Sequence, residues 1–254
     1  MFLSKIKVLL SHGKQYITDL DKAQVSERFR GVPSLREGVD ASSAKKCVDL
    51  CPMGAIAYDG ELSLDLGRCT FCGECAASFP DLVSFTNNWH TSSNSREDLI
   101  IRPGQDKVNF DAQNTRKIIK KRYAKALRLR SVCAGGDGST EMEMNASMNT
   151  NFDFSRYGVG FVASPRHADA LVISGPVTKA MDEALRVCYD AMSEPKLIIL
   201  SGSDAIAAAM YEGSESVERS FLSEHDVDLY IPGNPVHPLT FIDAIMTLCD
   251  RKKR

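Results

Sequence analysis

Four cysteines carry the strongest chemical signal in the sequence. Cys69, Cys72 and Cys75 recur every third residue, and Cys51 stands upstream with Pro52 directly after it. A loop that steps cysteines three apart can wrap three corners of one iron–sulfur cube, and a distant Cys-Pro can supply the fourth. Zinc sites more often pair two separate C-x-x-C units or mix cysteine with histidine. A disulfide framework would suit a secreted chain, and nothing in this sequence indicates secretion. The pattern predicts one [4Fe–4S] cluster held by Cys51, Cys69, Cys72 and Cys75.

Residues 39–86 must position these ligands, and they read as a ferredoxin unit. Such units repeat C-x-x-C-x-x-C-x-x-x-C-P twice, and each cube takes its last ligand from the other copy. Laid on the first copy, the four positions are Ala41, Ala44, Cys47 and Cys51; on the second they are Cys69, Cys72, Cys75 and Phe79, followed by Pro80. The cube on Cys69, Cys72, Cys75 and Cys51 is complete. The other would need Ala41, Ala44, Cys47 and Phe79, and keeps one ligand of four. The losses fall on one cube and spare the other, which predicts a one-cluster unit. Cys47 is then a buried thiol, and Phe79 fills vacated space with apolar bulk.

The flanking segments set the context. The chain has 254 residues, a formal net charge of −2, 43% hydrophobic and 25% charged residues, which is ordinary soluble composition. No apolar run reaches the length of a transmembrane helix, and the N-terminus lacks the features of a signal peptide. Residues 1 to about 18 predict a short amphipathic helix, with Phe2, Leu3, Ile6, Val8, Leu9 and Leu10 among Lys5, Lys7 and Lys14. It suits either its own domain or a partner or membrane surface. Residues 19–38 are loop-like, so 1–38 is an extension.

Residues 87–130 read as a linker with a short strand near Leu99–Ile101, then a basic amphipathic helix from Arg116 to Arg130. That run has no acid, and Ile118, Ile119, Tyr123, Ala126 and Leu127 form its apolar stripe. An anionic surface or the protein's own acidic patch would match it. Residues 131–250 alternate strand candidates (159–163, 170–174, 197–200, 228–231) with helical runs (178–192, 204–211, 239–248), the signature of a parallel α/β sheet. Sites in such sheets lie in loops at the carboxyl ends of strands. Here those loops are Gly202–Asp204, Pro232–Pro235 and Cys133–Gly138. The last lacks the Gly-Lys-Ser/Thr of a phosphate loop and follows no clear strand. The expected fold is an α+β ferredoxin-like domain followed by an α/β domain with a parallel, flavodoxin-like sheet.

Two family resemblances refine this reading. Residues 26–86, through Phe29-Arg30-Gly31 and Leu66-Gly67-Arg68-Cys69-Thr70-Phe71-Cys72-Gly73, resemble the ferredoxin subunit of formate hydrogenlyase, which is related to the two-cluster subunit of complex I. Residues 129–248 resemble the small, proximal-cluster subunit of membrane-bound [NiFe]-hydrogenases and complex I. The matching stretches are Ser164-Pro165-Arg166-His167-Ala168-Asp169-Ala170-Leu171, Gly175-Pro176-Val177-Thr178-Lys179-Ala180-Met181 and Tyr230-Ile231-Pro232-Gly233-Asn234-Pro235. The chain resembles a fusion of two neighbouring subunits. The second family binds a proximal [4Fe–4S] cluster through four cysteines. Aligned on Glu141-Met142-Glu143, those positions hold Asp137, Thr140, Asp204 and Asn234. Iron of a cluster wants thiolates, so the resemblance implies a lost proximal cluster. Cys133 lies near but outside the aligned pair, and Cys188 and Cys249 read as core thiols.

The resemblance implies a non-catalytic electron-transfer and scaffold subunit with one [4Fe–4S] cluster. It would sit peripherally on the cytoplasmic side of a membrane, against a hydrogenase- or complex I-type large subunit and membrane subunits. A structural adaptor with the cluster as a staple is the alternative. A free-standing flavodoxin-like enzyme lacks support, because His167 and His237 lie beside proline-rich turns with no nucleophile to pair with. Nucleic acid is not expected as a partner, given the negative net charge.

Overall fold

The computed structural model describes residues 2–111, 113, 115 and 117–251. The chain begins with helix α1 (Phe2–His12). The cysteine-bearing half then holds two small antiparallel sheets. One pairs β1 (Pro33–Leu35) with β4 (Val83–Phe85). The other joins β2 (Ile56–Tyr58), β3 (Leu62–Asp65) and β5 (Ile100–Ile101). Helix α2 (Ala41–Leu50) precedes Cys51, and the five-residue helix α3 (Glu74–Ser78) carries Cys75.

Helix α2 occupies the first copy of the cysteine motif. Asp40 caps it by accepting the Ser43 backbone N–H at 2.9 Å, which holds the Asp40 carboxyl below its usual range. Ala41, Ala44 and Cys47 are helical, and Ala44 and Cys47 face the core, both fully buried. Burial pushes the Cys47 thiol up to about 11. Phe79 packs on the same core beside Val39 and Ser43.

After helix α4 (Lys117–Arg122), five parallel strands follow: β6 (Leu127–Cys133), β7 (Val159–Phe161), β8 (Ala170–Ser174), β9 (Leu197–Ser201) and β10 (Leu229–Ile231). They lie side by side as β7-β6-β8-β9-β10. Counted along the chain this is the order 2-1-3-4-5, with its switch point between β6 and β8. Helices α5 (Ser139–Ala146), α6 (Lys179–Asp190), α7 (Ser203–Ala207), α8 (Ser220–Glu224) and α9 (Pro238–Leu248) connect and cover the strands. Val172, Ile199 and Ile231 face one apolar cluster, Ile173 and Leu200 the other. A sheet buried on both faces needs the continuous apolar runs seen in β8 and β9.

The basic run differs from its expected helix. Arg116 lies outside the described residues. The helix ends at Arg122, and 127–133 is the interior strand β6, between β7 and β8. Leu127-Arg128-Leu129 alternates with period two, and the leucines are buried while Arg128 is exposed. Ile119 in α4 and Tyr123 just after it enter the protein's own core, while Ile118 stays exposed. The Gly-rich loop after Cys133 therefore does follow a strand. The expected linker is also packed. Trp89 is buried, Thr240 donates to its carbonyl at 2.8 Å, and Ser93 bridges to Tyr230.

One apolar cluster runs from Leu64, Leu66 and Cys69 into Val132, Ile173, Ala205 and Ile206 on the parallel sheet's face. The other centres on Phe241, which stacks on Phe161 at 6.3 Å and tilts against Phe154. Phe241→Ala should lower stability by about 3–5 kcal/mol, because a fully buried ring leaves a cavity. Urea denaturation would measure the loss, and a loss under 1 kcal/mol would contradict this packing.

Candidate functional site

Cys51, Cys69, Cys72 and Cys75 surround one pocket. Its other walls include Leu50, Pro52, Met53, Ala55, Ile56, Leu64 and Phe85. Cys51 caps the C-terminus of α2, and its Sγ accepts the Ala55 N–H at 3.4 Å. Cys69 Sγ accepts the Phe71 N–H at 3.3 Å. Phe71 (φ 54°) and Gly73 (φ 83°) turn the loop into α3, which sets Cys75. Cys69 and Cys75 are buried, Cys51 is half-buried, and Cys72 is exposed.

Burial pushes the Cys69 thiol up to about 12 and raises Cys75 as well. The neighbouring cysteines add to both shifts, so these thiols would repel one another as thiolates. Such a group becomes stable in ionised form only with cationic metal among the sulfurs. No three His, Cys, Asp or Glu side chains among the described residues converge as ligands of a single ion would. The four cysteines line one pocket instead, and a cluster would present a separate iron to each. Soft donors, apolar walls and N–H groups aimed at sulfur fit an iron–sulfur group.

The loop is laced to its surroundings by residues that the spacing did not reveal. Asp65 accepts the Gly67 N–H at 2.8 Å and takes both arms of Arg96, at 2.8 and 2.6 Å. Arg30 donates to the Phe71 carbonyl at 2.6 Å. Arg68 donates to the Met53 carbonyl at 3.3 Å and pairs with Glu212 in the parallel-sheet half. The only sequence signal was an Arg or Asp beside the cysteine motif, which is common on any surface.

Gly67 is a point of close approach. A Cβ there would stand 2.7 Å from Ile206 and 2.9 Å from Arg96. The cysteine loop therefore rests directly on α7. Gly67→Val should cost roughly 1–3 kcal/mol through overpacking. Hydrogen exchange should also quicken in 203–207. Unchanged exchange there would show that the loop does not rest on this helix.

The four positions aligned with the proximal-cluster ligands come together at the carboxyl end of the sheet. Asp137 accepts the Ser139 N–H at 2.8 Å and its hydroxyl at 2.6 Å, which holds the Asp137 carboxyl below its usual range. Asp204 lies close enough for the Asp137 charge to act on it. Burial first, and that charge second, raise the Asp204 carboxyl. Thr140 Oγ1 stands 3.2 Å from where a Gly202 Cβ would be, and Asn234 donates to Ser203 Oγ at 3.3 Å. Burial raises the Cys133 thiol, and the neighbouring Glu141 adds to this while the Gly136 and Gly135 amides act the other way. Glu141 also accepts from Ser174. The aligned set offers hard oxygen and amide groups, of which Asp137 and Asn234 are engaged with neighbours while a buried Oδ1 of Asp204 has no hydrogen-bond partner, and no thiolate for an iron–sulfur cluster.

The histidines take structural roles. His237 caps α9, accepting the Leu239 N–H at 3.2 Å, and burial lowers its pKa. His167 ends an exposed 3-10 turn. His90 Nδ1 pairs with buried Asp243 at 2.9 Å, a partnership across 153 positions that no local pattern announced.

Residues 133–248 match the family of the NADH ubiquinone oxidoreductase 20 Kd subunit. The match covers the parallel sheet from the end of β6 to the end of α9, and so includes all four aligned positions. Among solved structures, a chain of the membrane-bound sulfane sulfur reductase, an archaeal respiratory membrane complex, is similar over 54% of this chain and 75% of its own. Identity is 25% and the TM-score 0.46.

Asp204 gives the 20 Kd-subunit-like half a testable pH signature. A carboxyl raised in the fold disfavours folding once ionised, so its cost is absent below the unfolded pKa near 3.9 and present in full above the folded one. Asp204→Asn should therefore raise the Tm at pH 7 by about 2 °C, and the difference should fade as pH drops below about 4. A Tm lowered at pH 7 would show that the charge is used.

Proposed function

We propose that the chain is an iron–sulfur electron-transfer and scaffold subunit of a membrane-associated assembly related to complex I or energy-converting hydrogenases. It combines a one-cluster ferredoxin domain (39–86) with a hydrogenase small-subunit-like domain (131–250), and it lacks the proximal cluster. The observation that carries this reading is the ring of four cysteines standing against the 20 Kd-subunit-like half.

Cys51, Cys69, Cys72 and Cys75 would hold the [4Fe–4S] cluster, which supplies one-electron transfer when bound. The chain's own residues do the rest. Ala55 and Phe71 direct N–H groups at sulfur, which favours the reduced, more negative state of any group held there. Leu64, Ile56 and Phe85 exclude water from one side, while the exposed Cys72 opens the other towards a redox partner. Gly67 lets the loop approach α7, Arg68 ties it to Glu212, and Arg96 clamps Asp65. Asp137, Thr140, Asp204 and Asn234 replace thiolates at the next station, so the electron path of this subunit ends at its one cube.

The partners in this reading are a hydrogenase- or complex I-type large subunit and membrane subunits, with the chain peripheral on the cytoplasmic side. No helix among the described residues is long and apolar enough to cross a membrane. The oxygen-rich proximal position also favours a second reading: a structural adaptor whose cluster is a staple.

Anaerobically purified protein should contain about four irons per chain and show a reducible EPR signal. Cys69→Ser or Cys75→Ser should abolish both. About eight irons would overturn the missing proximal cluster. A full iron load that cannot be reduced would leave the adaptor and reject electron transfer. No iron would reject both.

A further inference from the structure

Helix α1 stands outside both apolar clusters. Every residue from Leu3 to Tyr16 is exposed. Leu3, Leu9 and Leu10 are 73%, 69% and 76% exposed, and Ile6 and Val8 are also open. With about 100° between successive residues, Leu9, Ile6, Leu10 and Leu3 fall within an arc of roughly 120°. Lys5 and Lys7 then fall just beyond its two edges, about 40° out on either side. Ser4, Val8 and Ser11 lie opposite. No Asp or Glu occurs before Asp19, and Lys14 adds a third cation after the helix.

Lysines bracketing an apolar stripe are placed to lay their stems along it and lift their ammonium groups to its rim. A flat anionic surface with an apolar layer beneath it meets both demands at once. The attachment suits this as well. Gly13 has φ 62° with open space around it. The chain is then gripped just beyond: Arg156 stacks over Tyr16 at 4.3 Å and donates to the Ile17 carbonyl, and Ile17 N–H donates to Asn151 at 2.9 Å. A free helix is thus joined by three exposed residues, Gly13 to Gln15, to a fixed anchor.

We propose that α1 lies in the surface of an anionic lipid bilayer. Leu3, Ile6, Leu9 and Leu10 enter the acyl boundary, and Lys5 and Lys7 sit on lipid phosphates. This deepens the membrane placement proposed above and is independent of the cluster, whose readout is iron content.

The test uses the full iron-loaded chain in co-sedimentation with vesicles. Binding is expected to phosphatidylcholine vesicles containing phosphatidylglycerol, weaker in 0.5 M salt and weaker still on pure phosphatidylcholine. Lys5→Glu/Lys7→Glu and, separately, Leu9→Glu/Leu10→Glu should each reduce partitioning tenfold or more, since each basic residue near such a surface contributes about fivefold. These side chains are exposed, so iron content and Tm should not change. No binding to anionic vesicles, or binding that both variants retain, would overturn the proposal. So would loss of a protein subunit from the native complex in the Leu9→Glu/Leu10→Glu variant without any vesicle binding by the wild type, because a protein groove would then be the cover. Failure here with about four irons per chain leaves the cluster reading standing.

Discussion

The constraint on which the rest depends is electrostatic. Sulfur donors held close together in an apolar pocket cannot all be ionised without positive charge among them. Cys69 and Cys75 are driven towards the neutral thiol by burial and by their neighbours. The surrounding architecture makes sense as a frame that holds these groups together in spite of this. The Cys51 cap of α2, the positive φ of Phe71, and the Asp65–Arg96 clamp each fix one part of the loop. Gly67 then lets the framed loop touch α7 without a side chain between them.

How much of this was legible depends on the range over which each feature is encoded. The cysteine spacing is local, and the structure gathers all four around one pocket. Strands β8, β9 and β10 were legible because a sheet covered on both faces demands unbroken apolar runs. Interior strand β6 was not. Its Arg128 and Arg130 sit among the lysines and arginines of α4, and the two elements together mimic one basic helix. Only the period-two alternation of Leu127 and Leu129 betrayed the change. The segment 87–115 resembled a linker because it is its backbone that is tied to distant partners, Ser93 to the Tyr230 backbone and the Trp89 carbonyl to the Thr240 hydroxyl.

The candidate site was legible in its donors and illegible in its supports. Arg68 finds Glu212, and His90 finds Asp243, across more than a hundred positions each. No periodicity carries such pairings. The convergence of Asp137, Thr140, Asp204 and Asn234 could be reached only through the family alignment, since turn residues of these types are ordinary at strand ends. Asp137 and Asn234 are held by Ser139 and Ser203, while a buried oxygen of Asp204 has no hydrogen-bond partner.

Helix α2 bears on the history of the chain. In the one-cluster reading, Ala41, Ala44 and Cys47 stand where a second motif would present three ligands from an open loop. Here they follow one another down one side of a capped helix, and two of them are sealed in the core. Restoring the cysteines alone would set sulfurs in a row along a rod rather than around a cube. Regaining the cofactor would also require giving up the Asp40 cap, the buried Ala44 and the packing of Phe79. In that reading the loss works as a ratchet: once the loop has wound into a helix, single substitutions no longer lead back.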